Sequence, residues 1–286
     1  MNAAEFDPAR PQRVPAPAKI NLFLHIVGRR ADGYHLLQTA FRMLDWGDEI
    51  TLRRRDDGAI VRTTDVPGVP ADADLVVRAA RALQAASGTR CGADIGVVKR
   101  IPMGGGLGGG SSDAASVLIA LNRIWACDLS RGQLQEIGLK LGADVPFFIF
   151  GRTAFAEGVG EALQAMDVAP AWYVMVAPPV AVPTAEIFSA PELTRNSEPI
   201  IMRRFATHTT RNDMQATVCK RFPEVAEALV WLSQYGAARM SGSGACIFAP
   251  FDSEEKAQQV VATAPQGWKV WVAAGLDRHP LLDWVV

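Results

Sequence analysis

The sequence is poor in the residues that bind metals and form disulfides. Its four cysteines, Cys91, Cys127, Cys219 and Cys246, lie far apart and form no Cys-x-x-Cys pair. Its four histidines, His25, His35, His208 and His279, form no His-x-x-x-His or His-Glu-x-x-His arrangement. A structural zinc site needs such ligand spacing, so the sequence excludes one, and the thiols read as reduced and partly buried. Charge of one sign is also missing. Lys and Arg number 29 against 30 Asp and Glu, a net −1, whereas a dedicated nucleic-acid binder carries a basic surplus. The densest basic run, Arg53-Arg54-Arg55, reads as a solvated strand end. No stretch approaches the 18 uninterrupted apolar residues of a membrane span, and the most apolar, residues 171–182, is broken by Pro178 and Pro179. The opening MNAAEFDPARPQRVP is polar and has no apolar signal-peptide core. A cytoplasmic protein with neither nucleic acid nor membrane as partner is the expectation.

Glycine, in contrast, is concentrated. Residues 104–110 read GGGLGGG, and Ser111 and Ser112 follow. Glycine loses more backbone freedom on folding than any other residue, so such a run is tolerated where the backbone must approach a ligand closely or take positive φ. The segment before it, residues 93–101 (ADIGVVKRI), reads as a strand, and the segment after it, residues 112–125 (SDAASVLIALNRIW), as a helix. A strand, a glycine loop and a helix N-terminus together make an anion site, because unpaired N–H groups and the helix dipole both favour negative charge. The first expectation is a nucleotide phosphate. A dinucleotide site would need a further strand and an acid about 20 residues on, but residues 126–130 lead into another helical pattern at 133–141. A lysine-containing phosphate loop would need Lys before Ser111, where Gly110 stands. A glycine loop that wraps ATP without a lysine of its own is the remaining template.

Elsewhere residues 19–27 read as a strand, residues 32–35 as a turn, and residues 36–52 as two strands about a Trp46-Gly47-Asp48 turn. Residues 75–86 carry apolar positions at helical spacing and stop near Gly88. Residues 145–150 (VPFFIF) form a short buried run, and residues 153–157 a strand. After Gly160 the pattern restarts. Strands are expected at 172–177, 245–249 and 268–273, and helices at 184–188, 212–220, 223–235 and 254–264. This order suggests an α+β protein of two domains, residues 1–164 and 165–286.

Three local features could supply chemistry beside a phosphate cradle. Lys19 and Asn21 lie two apart on one strand and so face the same way, as a shared cavity or as an ordinary strand entry. Asp144 sits between Gly142 and Pro146 before an apolar run, as a partly buried carboxylate needing a partner or as a turn residue. Ser241-Gly242-Ser243-Gly244 is a second glycine-serine loop, which alone would be a turn.

Taken in order, Pro17-Ala18-Lys19-Ile20-Asn21-Leu22, Asp32-Gly33-Tyr34-His35, Pro102-Met103 with GGGLGGGSSDAA, Leu141-Gly142-Ala143-Asp144-Val145-Pro146 and Ser241-Gly242-Ser243-Gly244-Ala245-Cys246 resemble the GHMP small-molecule kinase superfamily, over about residues 14 to 275. The resemblance implies a two-domain α+β fold, with an N-terminal α/β domain like that of a ribosomal protein and a ferredoxin-like C-terminal domain. It implies ATP with Mg²⁺, and transfer of the γ-phosphate to the tertiary 2-hydroxyl of a cytidine-diphosphate-linked methylerythritol in isoprenoid precursor synthesis. Lys19 and Asp144 would flank the acceptor hydroxyl. Lys99, Pro102, Met103, Gly104, Gly105, Gly106, Leu107, Gly108, Gly109, Gly110, Ser111 and Ser112 would bind ATP; no motif names a metal ligand, and Ser111 or Ser112 could supply one to an ATP-bound ion. Asn21, Tyr34, His35 and Thr184 would hold the acceptor, with Phe41 and Phe188 as a cytosine-stacking pair.

Overall fold

The computed structural model describes residues 7, 10–31, 33–205 and 209–285; Asp32 and His208, singled out above, lie outside them. The fold is organised by a long antiparallel hairpin, β1 (Gln12–Arg29) with β2 (His35–Arg55). Next come β3 (Ile60–Arg62), α1 (Leu75–Ser87), β4 (Gly92–Val98), α2 (Gly109–Ile124), α3 (Arg131–Leu139) and α4 (Val145–Phe150). The hairpin β5 (Ala154–Glu157) with β6 (Ala162–Ala165) closes the first half. The second half runs β7 (Trp172–Ala177), α5 (Thr184–Ser189), α6 (Gln215–Arg221), α7 (Pro223–Ser233), β8 (Arg239–Met240), β9 (Ile247–Phe251), α8 (Glu254–Val261) and β10 (Lys269–Leu276). The main strand order is β3-β4-β2-β10-β7-β9-β8, so strands of both halves are joined where Gly275 and Leu276 of β10 pair with Leu44 and Met43 of β2. No helix among the described residues is long and apolar enough to cross a membrane.

Residues 36–52 were expected to hold two strands; the structure corrects this to the single strand β2. Gly47 lies opposite Pro17 within the β1–β2 ladder and does not reverse the chain. A Cβ there would stand 2.2 Å from the carbonyl oxygen of Ala16, so the glycine serves close strand approach, beside an irregularity between Pro17 and Lys19. Gly47→Ala is therefore expected to destabilise the protein by about 1–3 kcal/mol, the usual cost of overpacking, as read from the denaturant midpoint. Residues 145–150 form the helix α4, with Pro146 in its first turn, where a missing N–H costs nothing. The β3 strand and the β5–β6 hairpin's second strand had no counterpart in the sequence reading; both are short and only partly buried.

The three irregularities in the β1 ladder set up the site. They fall between Pro17 and Lys19, Asn21 and Phe23, and Ile26 and Gly28. Near them, backbone donors of β1 leave the hairpin and bond elsewhere. The N–H of Lys19 donates to Leu107 O at 2.9 Å, that of Asn21 to Ser241 Oγ at 3.2 Å, and that of Leu24 to Arg211 O at 3.0 Å. One strand thus receives the glycine loop on the first half and two loops of the second. Beneath this junction an apolar cluster draws on both halves, including Ile20, Phe23, Ile101, Leu107, Met175, Cys246 and Phe248.

Candidate active site at the glycine loop

The helix begins earlier than its sequence suggested. α2 starts at Gly109, so Gly109, Gly110 and Ser111 form its first turn, and their N–H groups have no intrahelical acceptor. The rest of the run is held by its carbonyls. Gly104 O accepts from Ala245 N at 3.2 Å, Gly105 O from Cys246 N at 3.1 Å, and Gly106 O from Ser241 Oγ at 2.9 Å and Lys19 Nζ at 3.1 Å. With the carbonyls tied back, the loop's role falls to its amides. The Ser241–Cys246 segment is thus a backstop for the glycine loop rather than an ordinary turn. The Cys246 thiol, pushed up to about 12 by burial, is chemically inert packing behind Gly105.

Two cavities share the loop as a wall, both bordered by Gly104, Gly106, Gly108 and Ser111. The smaller, about 320 Å³, collects Lys99, Pro102, Met103 and residues 104–111. The larger, about 820 Å³, collects Lys19, Asn21, Tyr34, His35, Phe41, Asp144, Thr184 and Phe188. All the expected residues but one therefore border a cavity. The exception is Ser112, which is fully buried and donates its hydroxyl to Pro17 O at 2.7 Å, fixing α2 to β1. Leu107 offers the cavity only its backbone, since its side chain is 1% exposed in the apolar cluster under the loop.

Lys19 is the centre of the arrangement. Its side chain is 4% exposed, and an ammonium so buried costs several kcal/mol unless compensated. Compensation is complete: Nζ donates to Asn21 Oδ1 at 2.6 Å and Gly106 O at 3.1 Å, and pairs with Asp144 Oδ2 at 3.4 Å. It also lies 5.3 Å from the centre of the Phe41 ring. Asn21 is oriented in turn by its Nδ2, which donates to Thr39 Oγ1 at 2.9 Å, and that hydroxyl donates to Phe23 O. Asp144 occupies the N-cap position of α4 but makes no capping bond, so its carboxylate is turned to Lys19 instead. An ordinary strand-entry lysine and an ordinary turn aspartate would not meet in this way.

The two rings of the expected stacking pair have different neighbours. Phe41 is 3% exposed and packs on Phe147 with ring centres 4.7 Å apart. Phe188 stacks on His35 at 4.8 Å and 26°. His35 and Phe41 are six residues apart on β2, roughly 20 Å at the rise of a strand. Phe41 lies beside Lys19, and His35, Phe188 and the exposed Tyr34 form a separate aromatic group on the same cavity.

Comparison with known proteins agrees with this architecture. Residues 74–152 match the model of the GHMP kinases N terminal domain, and residues 200–270 that of the GHMP kinases C terminal. The chain is 62% identical to the 4-diphosphocytidyl-2-C-methyl-D-erythritol kinase of Aromatoleum aromaticum, over 95% of each. It is 63% identical to the like-named kinase of an Azoarcus species, over 93% of this chain and 95% of that one. The chain belongs to the family of 4-diphosphocytidyl-2-C-methyl-D-erythritol kinases. A crystal structure of a 4-(cytidine 5'-diphospho)-2C-methyl-D-erythritol kinase superposes with a TM-score of 0.80 at 32% identity, covering 92% of this chain and 99% of that one. The α+β GHMP kinase fold is thereby established, and with it a small-molecule kinase, for which ATP is the phosphoryl donor that the family implies.

Against the family's pattern, three contributors escaped the sequence reading. Lys99 is held by Asp113 Oδ2 at 2.7 Å and by Asp48 Oδ2. Asp48 also accepts from the Ile101 N–H at 2.8 Å, so it braces the approach to the loop. Burial raises the Asp113 carboxyl to about 7, with Lys99 opposing that rise and Asp48 adding to it. The lysine of the smaller cavity is therefore a positioned, charge-compensated group. Asp48 had been absorbed into a turn and Asp113 into the glycine motif, so neither carried a separate signal. Arg195 is the third; it lies in a polar stretch with no periodicity.

Proposed function

We propose that the chain transfers the γ-phosphoryl group of ATP to the 2-hydroxyl of 4-diphosphocytidyl-2-C-methyl-D-erythritol, with ATP phosphates on the amides of the glycine loop and the acceptor in the larger cavity. The observation that carries this reading is the Lys19–Asp144 pair, 3.4 Å apart, beside Gly106 and Gly108 where the two cavities share a wall. An acceptor hydroxyl beside Asp144 faces the loop side from which a phosphoryl group would arrive. Asp144 accepts its proton as the new O–P bond forms and the bond from the γ-phosphorus to the bridging oxygen breaks, releasing ADP, and Lys19 places positive charge beside the transferring group. Phosphoryl transfer asks mainly for in-line placement and relief of oxygen charge. A buried cation with its remaining donors spent on Asn21 and Gly106 cannot wander, so it meets the first demand as well as the second.

Mg²⁺ fits the residues present. The hydroxyl of Ser111 borders both cavities and Asp144 offers a carboxylate, while Ser112 is committed to Pro17. Such an ion takes one or two protein oxygens with phosphates and water, and when bound it neutralises phosphate charge.

Along the larger cavity, a flat ring with polar edges finds Tyr34, His35 and Phe188, while the Thr184 hydroxyl is held 2.7 Å from Ser243 Oγ, in the segment that backs the loop. This suits a cytidine end.

The test is transfer from ATP to a panel of 4-diphosphocytidyl-methylerythritol, methylerythritol phosphate, mevalonate and homoserine, read by phosphorus NMR. A new monophosphate signal with the cytidylyl acceptor alone is the expected result; transfer to mevalonate or homoserine instead would overturn the assignment of the base-reading end. Lys19→Met is expected to lower kcat by about 10²-fold or more, the range for loss of one preorganised charge-stabilising group, with a smaller change in ATP affinity by calorimetry. Unchanged turnover would remove Lys19 from charge stabilisation.

A further inference from the structure

Arg195 closes the base-reading end of the cleft through one planar guanidinium. Its Nε donates to His35 Nε2 at 3.1 Å, its Nη1 to Leu193 O at 3.0 Å, and its Nη2 to Phe188 O at 2.9 Å and Ala190 O at 2.7 Å. Phe188 and Ala190 lie at the C-terminal end of α5, whose carbonyls lack intrahelical donors. The same group therefore finishes the helix and fastens it to the first residue of β2. The result is the 4.8 Å stack of Phe188 on His35, made of residues 153 positions apart in sequence (188 − 35).

An arginine nitrogen can only donate. Its partner His35 Nε2 must then be an acceptor, which places the ring proton on Nδ1. An imidazolium would set N–H against N–H and add a cation beside Arg195 and Arg29. Burial, then the charges of Arg195 and Arg29, hold the His35 pKa below its ordinary value, in keeping with a neutral ring.

We propose that Arg195 is a specificity-determining positioning residue: by donating its Nε–H to His35 Nε2, it fixes His35 as an Nδ1–H donor that selects a pyrimidine with a ring acceptor at N3, cytosine, over uracil. This rests on the reading of the larger cavity as a cytidine site. Cytosine N3 is a lone pair and accepts from Nδ1–H. Uracil carries N3–H at that place, so donor meets donor and two buried polar groups go unpaired. A site built to hydrogen-bond one group rejects the analogue that cannot. No base-specific role need be assigned to the stacking rings, since every pyrimidine has a π-face.

The experiment has two arms on the full chain. In the first, ¹⁵N-histidine NMR of the unmutated protein reports the tautomer, with the His35 signal assigned by its loss in His35→Ala. An Nδ1–H ring is expected, and an Nε2–H ring would overturn the proposal whatever any variant does. In the second, kcat/KM is measured for cytidine- and uridine-diphosphate-linked methylerythritol, alongside calorimetric binding of cytidine and uridine diphosphates. Arg195→Gln should narrow the cytosine preference by about tenfold or more, the worth of one buried unpaired group, mainly through acceptor KM. The KM for ATP should move by less than about twofold, since neither Arg195 nor His35 borders the smaller cavity. In a His35→Ala background Arg195→Gln should have no further effect on the preference, because a residue acting through another shows full coupling. Additive losses, or a preference unchanged in Arg195→Gln, would sink the proposal. If the native protein phosphorylates neither acceptor, the proposed function fails, and diphosphate binding with the tautomer still judges Arg195.

Discussion

Asp144→Asn is expected to lower kcat by roughly 10²–10⁴-fold, the span for loss of a general base, with acceptor KM nearly unchanged. The asparagine keeps the shape of the side chain and its place before α4. It loses the charge that faces Lys19 Nζ at 3.4 Å and the capacity to take a proton from the acceptor hydroxyl. Lys19 keeps its bonds to Asn21 and Gly106, so the buried ammonium is not abandoned and the fold should hold. Steady-state kinetics with a thermal melt separates the cases. A loss under about tenfold in folded protein would assign Asp144 to orientation alone and leave proton removal to water, a reading that a dissociative transition state permits.

The second large effect is expected from Gly106→Ala. Gly106 has φ of +73°, and a Cβ there would stand 2.1 Å from Ser241 O. The backbone conformation alone costs an L-residue of order 1 kcal/mol. The contact cannot be absorbed by a flexible side chain, because the obstacle is a backbone carbonyl. The loop must move away from the Ser241–Cys246 segment, and with it go the bonds that Gly106 O accepts from Lys19 and Ser241. The expected outcome is loss of activity by more than about 10²-fold, since misplacement by 1 Å suffices for that. ATP binding should weaken in step, as read by calorimetry. Native turnover in this variant would show that the loop tolerates displacement and that its bracing is not required.

Much of this was legible in the sequence where one residue type admits one explanation. The glycine run announced a loop of close approach and positive φ because glycine has few other uses at such density. Lys19 and Asn21 were readable as a pair because strand geometry puts alternate residues on one face. Asp144 was legible as a carboxylate against an apolar run, but its partner was not, since Lys19 lies 125 positions away (144 − 19) and only the register of β1 against the loop brings them together. The spacing of Phe41 and Phe188 was not legible for the same reason. Both rings border the cleft, yet nothing in a sequence states how far apart along it two residues lie. Gly47 misled because glycine before aspartate signals a turn, whereas here the missing side chain admits the neighbouring strand. Arg195 could not have been found, because its importance comes from backbone carbonyls, which no residue type announces, and from an imidazole 160 positions away (195 − 35).

The spacing of β2 has one more consequence. His35 marks one end of the larger cavity and Phe41, beside Lys19, the other, and both are fixed to a single strand whose length cannot change. The cavity therefore works as a gauge. A molecule that fills the aromatic end and also presents its hydroxyl at Asp144 must have the reach of a nucleoside joined through two phosphates to a small polyol. A shorter alcohol reaches one end at a time, and whichever end it chooses, the other does nothing to hold it in line for transfer.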